Sequence, residues 1–446
     1  MRRRDFLGKT LIGTAGIAIG ASGIFAAACK GANNKVVLAL IGAGHRGLST
    51  IISTCLVNSN VEIKTVCDVN DSNALKAISE IEKQLGYKPI QSKNMKEVFD
   101  DKDIDAVWIA TPDHWHTLAT VWACQAGKDV YVEKTPGISI MEGRKMIDAA
   151  KKNKKIVQVG FQNRSAAYAA SAREYISSGK LGQVVHIKIY NMLPGQKWVA
   201  QPDSEIPQGL DWDTWLGPAE YHAFNPGILK GWNNYWAYSP GTLNDASHQL
   251  DLTRMVMGDP GHPKSVFAWG GNTALGSERE TPEMQAITYD FSKFTVTLDS
   301  GTATNYMKKT PDKIRMDPAL FPEWRTNADR IEIYGTDGLM YLGRHGGGWQ
   351  VLGPKATILA QEGGIHPDKE HQINFIESIR SNKKPNSDVE QAQLSAALVH
   401  FGNIAYRTGN KQIYFNGENE QFTDNDEANK LLGTTYRDNF KMPEKV

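Results

Sequence analysis

Strand-like apolar runs alternate with helical stretches over the first part of the chain. The apolar runs lie at 36–41, 61–67, 106–110, 130–132 and 156–159. Helical patterns lie from residue 47, around 71–85, at 117–126 and at 141–153, with a plain connection from 85 to about 105. Buried parallel strands have nearly continuous apolar runs, and strand–helix alternation is typical of a parallel sheet covered on both faces. Residues 35–160 are therefore predicted to form an α/β domain with a doubly wound parallel sheet.

The pattern changes after residue 160, where apolar and polar positions alternate with a period of two. The alternating segments are 183–192, 264–269, 284–291, 293–299 and 330–334. Such alternation predicts strands with one covered face, so we expect residues 161–446 to form an α+β domain on a largely antiparallel open sheet. Helical patterns return at 371–381 and 389–408. The Trp- and Gly-rich segment 194–242 has little periodicity and is predicted to form long loops over a site.

The first apolar run leads directly into a glycine-rich turn, Gly42–Gly47, with the sequence GAGHRG. Asp68 follows at the end of the second apolar run. Strand, glycine turn, helix, strand and acid form the dinucleotide-binding fingerprint, in which the helix N-terminus receives a pyrophosphate. An acid at this place binds both ribose hydroxyls and would repel a 2′-phosphate, which favours NAD over NADP. The competing interpretation is a glycine-rich turn in some other α/β domain.

The chain opens with features of an export signal. Arg2, Arg3 and Arg4 precede an apolar, Gly- and Ala-rich stretch that runs from Leu11 to Ala28, and Cys29 follows. A basic segment, an apolar segment and small residues before a cleavage point describe a secretory signal, and the arginines resemble a twin-arginine signal. Ala26–Cys29 resembles a lipoprotein cleavage box. We therefore predict a signal over residues 1–28, a possible lipid anchor at Cys29 and a periplasmic or cell-envelope location; the alternative is an uncleaved membrane anchor.

Composition and spacing narrow the class of partner. The 446 residues carry a net charge of only +1, which gives no electrostatic basis for nucleic-acid binding or for membrane binding beyond the anchor. Neither a Cys-x-x-Cys nor a His-x-x-x-His pair suggests a metal site. Because free NAD is scarce outside the cytoplasm, an exported enzyme is expected to hold its NAD tightly and to restore it within each cycle.

Four segments in this order resemble the Gfo/Idh/MocA family, named for glucose-fructose oxidoreductase and inositol dehydrogenase. They are the glycine turn, Ala110–His116 (ATPDHWH), Val132–Pro136 (VEKTP) and Leu243–Asp251 (LNDASHQLD). His371–Phe375 and Gly402–Tyr406 are similar to its C-terminal helices. The resemblance implies an NAD-dependent oxidoreductase that forms dimers or tetramers. It implies cofactor contacts from Gly42, Gly44, His45, Arg46, Gly47, Asp68, Thr111, Pro112, His116 and Glu133.

The resemblance makes Lys134 the catalytic lysine, although Thr135 stands where the family motif has proline. Hydride loss from an alcohol requires that the hydroxyl proton also leave, and a partly desolvated lysine has a lowered pKa that suits this transfer. The competing interpretation is a solvated lysine at a strand end. His114 and His116 have a similar alternative, because either could simply cap the following helix.

His248 matches the histidine that the family places over the substrate. Members that are dehydrogenases usually have an aspartate four positions before it, where this chain has Asn244, and the carboxylate follows at Asp245. Residues three apart on a helix nearly share a face, so Asp245 is predicted to orient His248 and to belong to the catalytic group. The further substrate contacts implied are Asn163, Arg164, Asn244, Asp251, Trp232 and Tyr235. A helix-surface charge for Asp251 and core packing for the aromatic residues are the alternatives.

The sequence thus predicts an exported oxidoreductase that transfers hydride between NAD and a ring carbinol of a sugar or sugar derivative. Two other activities would suit the location, since both restore the cofactor: a redox-neutral, NAD-dependent glycoside hydrolase, and a transhydrogenase that oxidises one sugar and reduces another. A third hypothesis is a non-catalytic, lipid-anchored sugar-binding protein, which would be favoured if Lys134 lay outside the crevice.

Overall fold

The computed structural model describes residues 35–444, and the predicted signal and Cys29 lie outside them. The first layer is a six-stranded parallel sheet in the order β3-β2-β1-β4-β5-β6. Its strands are β1 Val36–Ile41, β2 Val61–Cys67, β3 Ile90–Ser92, β4 Ala106–Ile109, β5 Asp129–Val132 and β6 Val157–Val159. Its helices are α1 His45–Val57, α2 Asp71–Leu85, α3 Met95–Asp100, α4 Asp113–Gln125 and α5 Ile140–Asn153. The predicted doubly wound parallel sheet is confirmed.

Two features of this layer differ from the expectation. The predicted plain connection after residue 85 contains β3 and α3, and β3 is an edge strand whose residues are largely exposed, so it has no apolar run to reveal it. Helix α4 begins at Asp113 rather than at residue 117. Its first turn holds the polar residues Asp113, His114 and His116, which are nevertheless buried because the second half of the chain covers them.

The second layer is a ten-stranded sheet in the order β14-β13-β12-β11-β7-β10-β9-β8-β15-β16. Its strands are β7 Val184–Met192, β8 Ser265–Gly271, β9 Met284–Asp290, β10 Thr295–Gly301, β11 Arg330–Gly335, β12 Leu339–Gly343, β13 Trp349–Leu352, β14 Ile358–Glu362, β15 Ile413–Asn416 and β16 Gln421–Phe422. Strands β7 and β10 pair in parallel, and their outer neighbours β11 and β9 pair with them antiparallel. The prediction of a largely antiparallel sheet is confirmed. The five predicted strands correspond to β7–β11, and the sequence pattern does not reveal the other five strands, β12–β16.

Helices cover one face of this sheet and link it to the first layer. They are α6 Ala167–Ser177, α7 Trp212–Leu216, α8 Pro226–Gly231, α9 Leu243–Val256, α10 Asp312–Met316, α11 Asp368–Ser381, α12 Val389–Arg407 and α13 Asp426–Lys430. Short 3-10 turns lie at Gln162–Ser165, Trp232–Asn234, Trp324–Thr326, Pro354–Ala356 and Asp438–Phe440. Within residues 35–444, no helix is both long and apolar enough to span a bilayer.

Helix α11 completes the core of the first layer from far along the chain. Phe375 packs edge-on against Trp108 and Tyr131, whose rings stack with centroids 3.6 Å apart. The backbone carbonyl of His371 accepts a 2.9 Å hydrogen bond from the Gln158 side chain, next to these rings. The first layer of the fold therefore includes packing that the C-terminal helices supply.

The segment 194–242 contains the short helices α7 and α8 as well as loops. Trp212 and Trp215 stack with centroids 4.6 Å apart, and Phe224 and Tyr238 pack edge-on against this pair. Most of the aromatic residues in this segment therefore form a small core of their own. That core holds the segment against the crevice between the two layers.

Candidate functional site

A cavity of about 790 Å³ opens where the carboxyl ends of the parallel strands meet the second sheet. Such an edge is where open α/β sheets bind ligands, because the loops after neighbouring strands converge there. One end of the cavity is lined by residues that follow β1, β2, β4 and β5. The other end is lined by residues of β7, α9 and the 229–233 segment.

The glycine turn forms one wall of the cavity. Gly42 has φ +88°, and a Cβ atom there would lie 2.8 Å from the Ala110 backbone. A Cβ atom on Gly47 would lie 2.2 Å from the Gly42 carbonyl oxygen, so Gly47 lies beneath the turn and does not line the cavity. A Cβ atom on Gly44 would meet nothing within 4 Å and would enter the open cavity. That space, at the N-terminus of α1, fits a pyrophosphate.

Asp68 lies beside this turn at the end of β2. Its carboxylate accepts hydrogen bonds from the backbone N–H groups of Ala43, at 2.7 Å, and Asn70, at 2.8 Å. Burial raises the pKa of Asp68, and these hydrogen bonds oppose that effect. The carboxylate lines the cavity and has acceptor capacity left for ribose hydroxyls.

The Asp68→Ser variant is expected to bind NAD about 10- to 100-fold more weakly, because hydrogen bonds to a charged acceptor are lost. The affinity for NADP should fall less, or should rise, because the carboxylate that repels the 2′-phosphate is gone. Titration of both nucleotides by calorimetry measures the ratio. The exposed Asp100→Ser serves as the control, and an unchanged NAD/NADP ratio in Asp68→Ser would remove Asp68 from the ribose site.

The loops after β4 and β5 complete the cofactor end of the cavity. Thr111, Pro112, His116 and Glu133 line the cavity, as do His45 and Arg46 at the start of α1. The Thr111 hydroxyl is buried without a hydrogen-bond partner and so can receive one from a ligand. His116 places Nε2 2.9 Å from the Thr111 carbonyl and Nδ1 2.7 Å from the Thr135 carbonyl, which ties two of the loops together. Glu133 accepts a 2.8 Å hydrogen bond from Arg46.

His114 has a structural position. Its Nε2 lies 3.0 Å from the Trp215 carbonyl, and burial lowers its pKa to about 3. The neutral ring connects α4 to α7 and does not line the cavity.

Lys134 lies in the cavity between the two layers. Its Nζ donates to the backbone carbonyl of Asn244, at 3.1 Å, and to the side-chain oxygen of the same residue. Burial lowers the pKa of Lys134, and Asp113 is the foremost of the carboxylates that oppose this. The Lys134–Thr135 peptide is cis. A lysine with a lowered pKa in a ligand cavity suits proton transfer.

The structure corrects the expectation that Asp245 orients His248. Asp245 lines the cavity but pairs with Arg344, at 3.3 Å, and Lys309, at 3.5 Å, so the two cations and not His248 hold its carboxylate. Both cations lower the pKa of Asp245. His248 lies one helical turn after Asn244, is largely buried and packs edge-on against Phe161, with Lys134 and Arg344 among the charged groups that act on it. Burial lowers the pKa of the imidazole well below its usual value.

Three of the expected substrate residues lie in a buried network instead. Arg164 pairs with Asp251 at 2.7 Å, and the Ser395 hydroxyl donates to the same carboxylate at 2.6 Å. Asn163 donates to the Tyr168 hydroxyl at 2.8 Å. None of the three lines the cavity. The Arg164–Asp251 pair joins the 162–165 turn to α9 within the second domain.

The substrate end is lined by Asn244 and Trp232 as expected, whereas Tyr235 lies outside the cavity. It also includes residues that sequence reasoning missed: Asp113, Asn191, Asn233, Arg279 and Thr302. A polar residue near the end of a predicted strand could have indicated Asn191. Arg279 lies in a loop without any pattern, so nothing in the sequence marks it.

Known proteins match both halves of the chain. Residues 36–161 match the Gfo/Idh/MocA oxidoreductase family's NAD-binding Rossmann fold, and residues 169–276 and 343–442 match its C-terminal α/β domain. Levoglucosan dehydrogenase of Pseudarthrobacter phenanthrenivorans is 26% identical over 62% of this chain and 63% of its own length. The chain thus matches less than two thirds of that relative. α-N-Acetylgalactosaminidase of Shewanella oneidensis is 31% identical over 27% of each chain.

The solved structures agree with this assignment at the level of the fold. The WlbA dehydrogenase of Bordetella pertussis, crystallised with NADH and UDP-GlcNAcA, superposes with a TM-score of 0.62 at 18% identity, over 86% of this chain and 99% of that one. The open space at Gly44, the free Thr111 hydroxyl and the Asp68 carboxylate all fit NAD. This chain belongs to the Gfo/Idh/MocA family of oxidoreductases, and its first layer is the family's NAD-binding Rossmann fold.

Proposed function

We propose that the protein catalyses reversible hydride transfer between NAD and a ring carbinol of a sugar or sugar derivative, with Lys134 handling the hydroxyl proton. One observation carries this proposal: the half-buried Lys134 side chain lies in the same cavity as the glycine turn and the polar substrate end. The levoglucosan dehydrogenase relative supports a carbohydrate substrate. A Lys134 side chain outside the crevice would favour the non-catalytic binding hypothesis, and Lys134 instead lines the cavity.

The reaction breaks one C–H and one O–H bond of the carbinol. NAD, when bound, accepts the hydride with its electron pair. Neutral Lys134 accepts the hydroxyl proton at Nζ and later releases it to solvent, which leaves a ketone. Burial favours the neutral amine that this step needs. We assign this proton to Lys134, which lines the cavity and whose pKa is lowered by burial.

The deciding experiment uses the protein without residues 1–28. Denaturation first releases bound nucleotide for identification, and the native protein is then offered a panel of sugars. We expect about one NAD per chain and sugar-dependent reduction of the nucleotide. Protein that binds no nicotinamide nucleotide and changes none of the sugars would overturn the proposal.

A second candidate is redox-neutral glycoside hydrolysis, which the similarity to the Shewanella α-N-acetylgalactosaminidase favours. Transient oxidation of the ring would allow elimination of the glycosidic oxygen, addition of water and final reduction. Aryl glycosides distinguish the candidates: release of the aryl group without added cofactor and without net NADH indicates the hydrolase. Oxidation of one sugar coupled to reduction of a second, again without net NADH, indicates the transhydrogenase.

We also propose that the protein is exported and anchored through Cys29, on the strength of the arginines and apolar segment that precede it. Expressed in full length in a bacterium with twin-arginine export, the wild type should fractionate with membranes and release into detergent. The Cys29→Ala variant should lose lipid attachment, measured as the mass of the mature N-terminal peptide. An identical, unmodified N-terminal peptide in both proteins would contradict the anchor.

A homodimer or homotetramer formed through the open sheet face is a further part of the proposal. Val185, Phe267 and Trp269 are exposed on strands of that sheet, with Trp269 56% exposed. Single apolar residues on a surface are ordinary, whereas several on one face favour association. Sedimentation velocity of wild type and Trp269→Glu tests this, and a wild-type monomer would refute it.

A further inference from the structure

Asn244, in the first turn of α9, contacts two charged groups at once. Its side-chain oxygen accepts a hydrogen bond from Lys134 and its side-chain nitrogen donates one to Asp113. Lysine can only donate and an ionised carboxylate can only accept, so only one orientation of the amide satisfies both neighbours. Asn244 therefore connects Lys134 to Asp113 without a proton of its own to exchange.

Asp113 lies among His116, Lys134, Ser239 and Asn244, and burial raises its pKa while these neighbours oppose that effect. It is the first residue of α4, is 2% exposed and lines the cavity. No Lys or Arg in the described part of the chain lies within ion-pair distance of it, whereas Asp245 pairs with both Arg344 and Lys309. The Asn244 side chain joins Asp113 to the Lys134 ammonium through one hydrogen bond on each side.

We propose that Asp113, acting through Asn244, is the positioning carboxylate for Lys134, so that a charge at the start of α4 in the nucleotide-binding layer orients the lysine through an amide on α9 of the second layer. Asp113 fixes the orientation of the Asn244 amide, and that amide in turn fixes Lys134 Nζ. This inference rests on the proposed function of Lys134.

The charge of Asp113 also bears on when Lys134 loses its proton. Burial lowers the pKa of Lys134, and nearby negative charge raises it again. The groups that face Lys134 are Asp113 on α4, Asp245 and neutral His248 on α9, Glu133 beside it, and Arg344 after β12, whose charge acts in the opposite direction. Burial and the positive charge of Arg344 both lower the pKa of Lys134. When the Asp113 charge is removed, less negative charge opposes them, and the pKa of Lys134 falls.

The test compares Asp113→Asn with the exchange variant Asp113→Asn/Asn244→Asp, which moves the carboxylate next to Lys134. Asp113→Asn should lower kcat for sugar oxidation by about 10- to 100-fold through loss of a charged hydrogen bond. The rising limb of its kcat–pH profile should move to lower pH by about one unit. The exchange variant should return the limb to the wild-type pH or above it and should recover part of kcat.

A control and a second readout separate this inference from the proposed function. Asp129→Asn removes another partly buried carboxylate of the nucleotide-binding layer, one that holds the Ile156 N–H at 2.9 Å, and should leave the pH profile unchanged. The pH dependence of Lys134 acylation, followed by peptide mass spectrometry on protein without added sugar, should shift in Asp113→Asn even if no sugar is ever turned over. A wild-type acylation profile in Asp113→Asn would overturn the inference, as would an exchange variant no better than the single one.

Discussion

Replacement of Lys134 by alanine is expected to leave NAD bound while reducing kcat by about 10²- to 10⁴-fold, the range over which a positioned acid–base group contributes. The reason is geometric, because Lys134 Nζ is the proton acceptor between the cofactor end and the substrate end of one cavity. In the wild type, sugar oxidation should rise with pH through a group whose pKa lies below the ordinary 10.5 of lysine. Only the amine accepts a proton, so activity is present above this pKa and is lost below it.

Lys93→Ala is the matched control for this experiment. Lys93 lines the same cavity at the cofactor end and pairs with Asp71 at 2.8 Å. Its loss should alter NAD affinity slightly and kcat little. A Lys134→Ala variant with wild-type kcat, or one whose rate keeps the wild-type dependence on pH, would show that another group takes the proton.

The second large effect is expected from Gly44→Val, which should fold normally and lose NAD binding by at least about 100-fold. Gly44 has φ −62° and ψ 177°, values that any residue adopts, and a Cβ atom there meets no protein atom within 4 Å. The valine side chain therefore enters the space where the pyrophosphate approaches the start of α1. Thermal unfolding and calorimetric titration with NAD measure the two parts of this prediction.

Gly261→Val controls for the change of residue type. Gly261 is exposed, and a Cβ atom there also meets nothing within 4 Å, but it lies far along the chain from the glycine turn and outside the cavity. It should keep both the melting temperature and the NAD affinity of the wild type. If Gly44→Val bound NAD as tightly as Gly261→Val, the pyrophosphate would lie elsewhere.

The first layer could be predicted from the sequence because its information is local. Buried parallel strands are apolar throughout, and the glycine turn and Asp68 occur at fixed places relative to them. Helix α4 shows the limit of this reasoning: its first turn is polar, and it is buried only because residues about a hundred positions later pack over it.

The substrate end was predicted less well for the same physical reason. The predicted contact between Asp245 and His248 assumes a helix, which the structure has at Leu243–Val256, but a helical repeat gives only the approximate direction of each side chain. The direction of Asp245 is decided by Arg344 and Lys309, which lie roughly 100 and 64 residues away in the chain. Arg164 and Asp251 are expected from the sequence to contact the ligand, but they form a buried ion pair. The sequence cannot separate the two roles, because buried ion pairs and binding sites use the same residue types.

Phe375 and Ile376 belong to the same apolar core as β1, and Val389 and Ala392 to the core on the other side of that sheet. The apolar core of the nucleotide-binding layer is therefore incomplete until α11 and α12 have been synthesised and have packed against it. Domains commonly fold in order as they leave the ribosome. In this chain the earliest segment depends on helices close to the C-terminal end, so a truncated product ending near residue 160 is expected to remain unfolded.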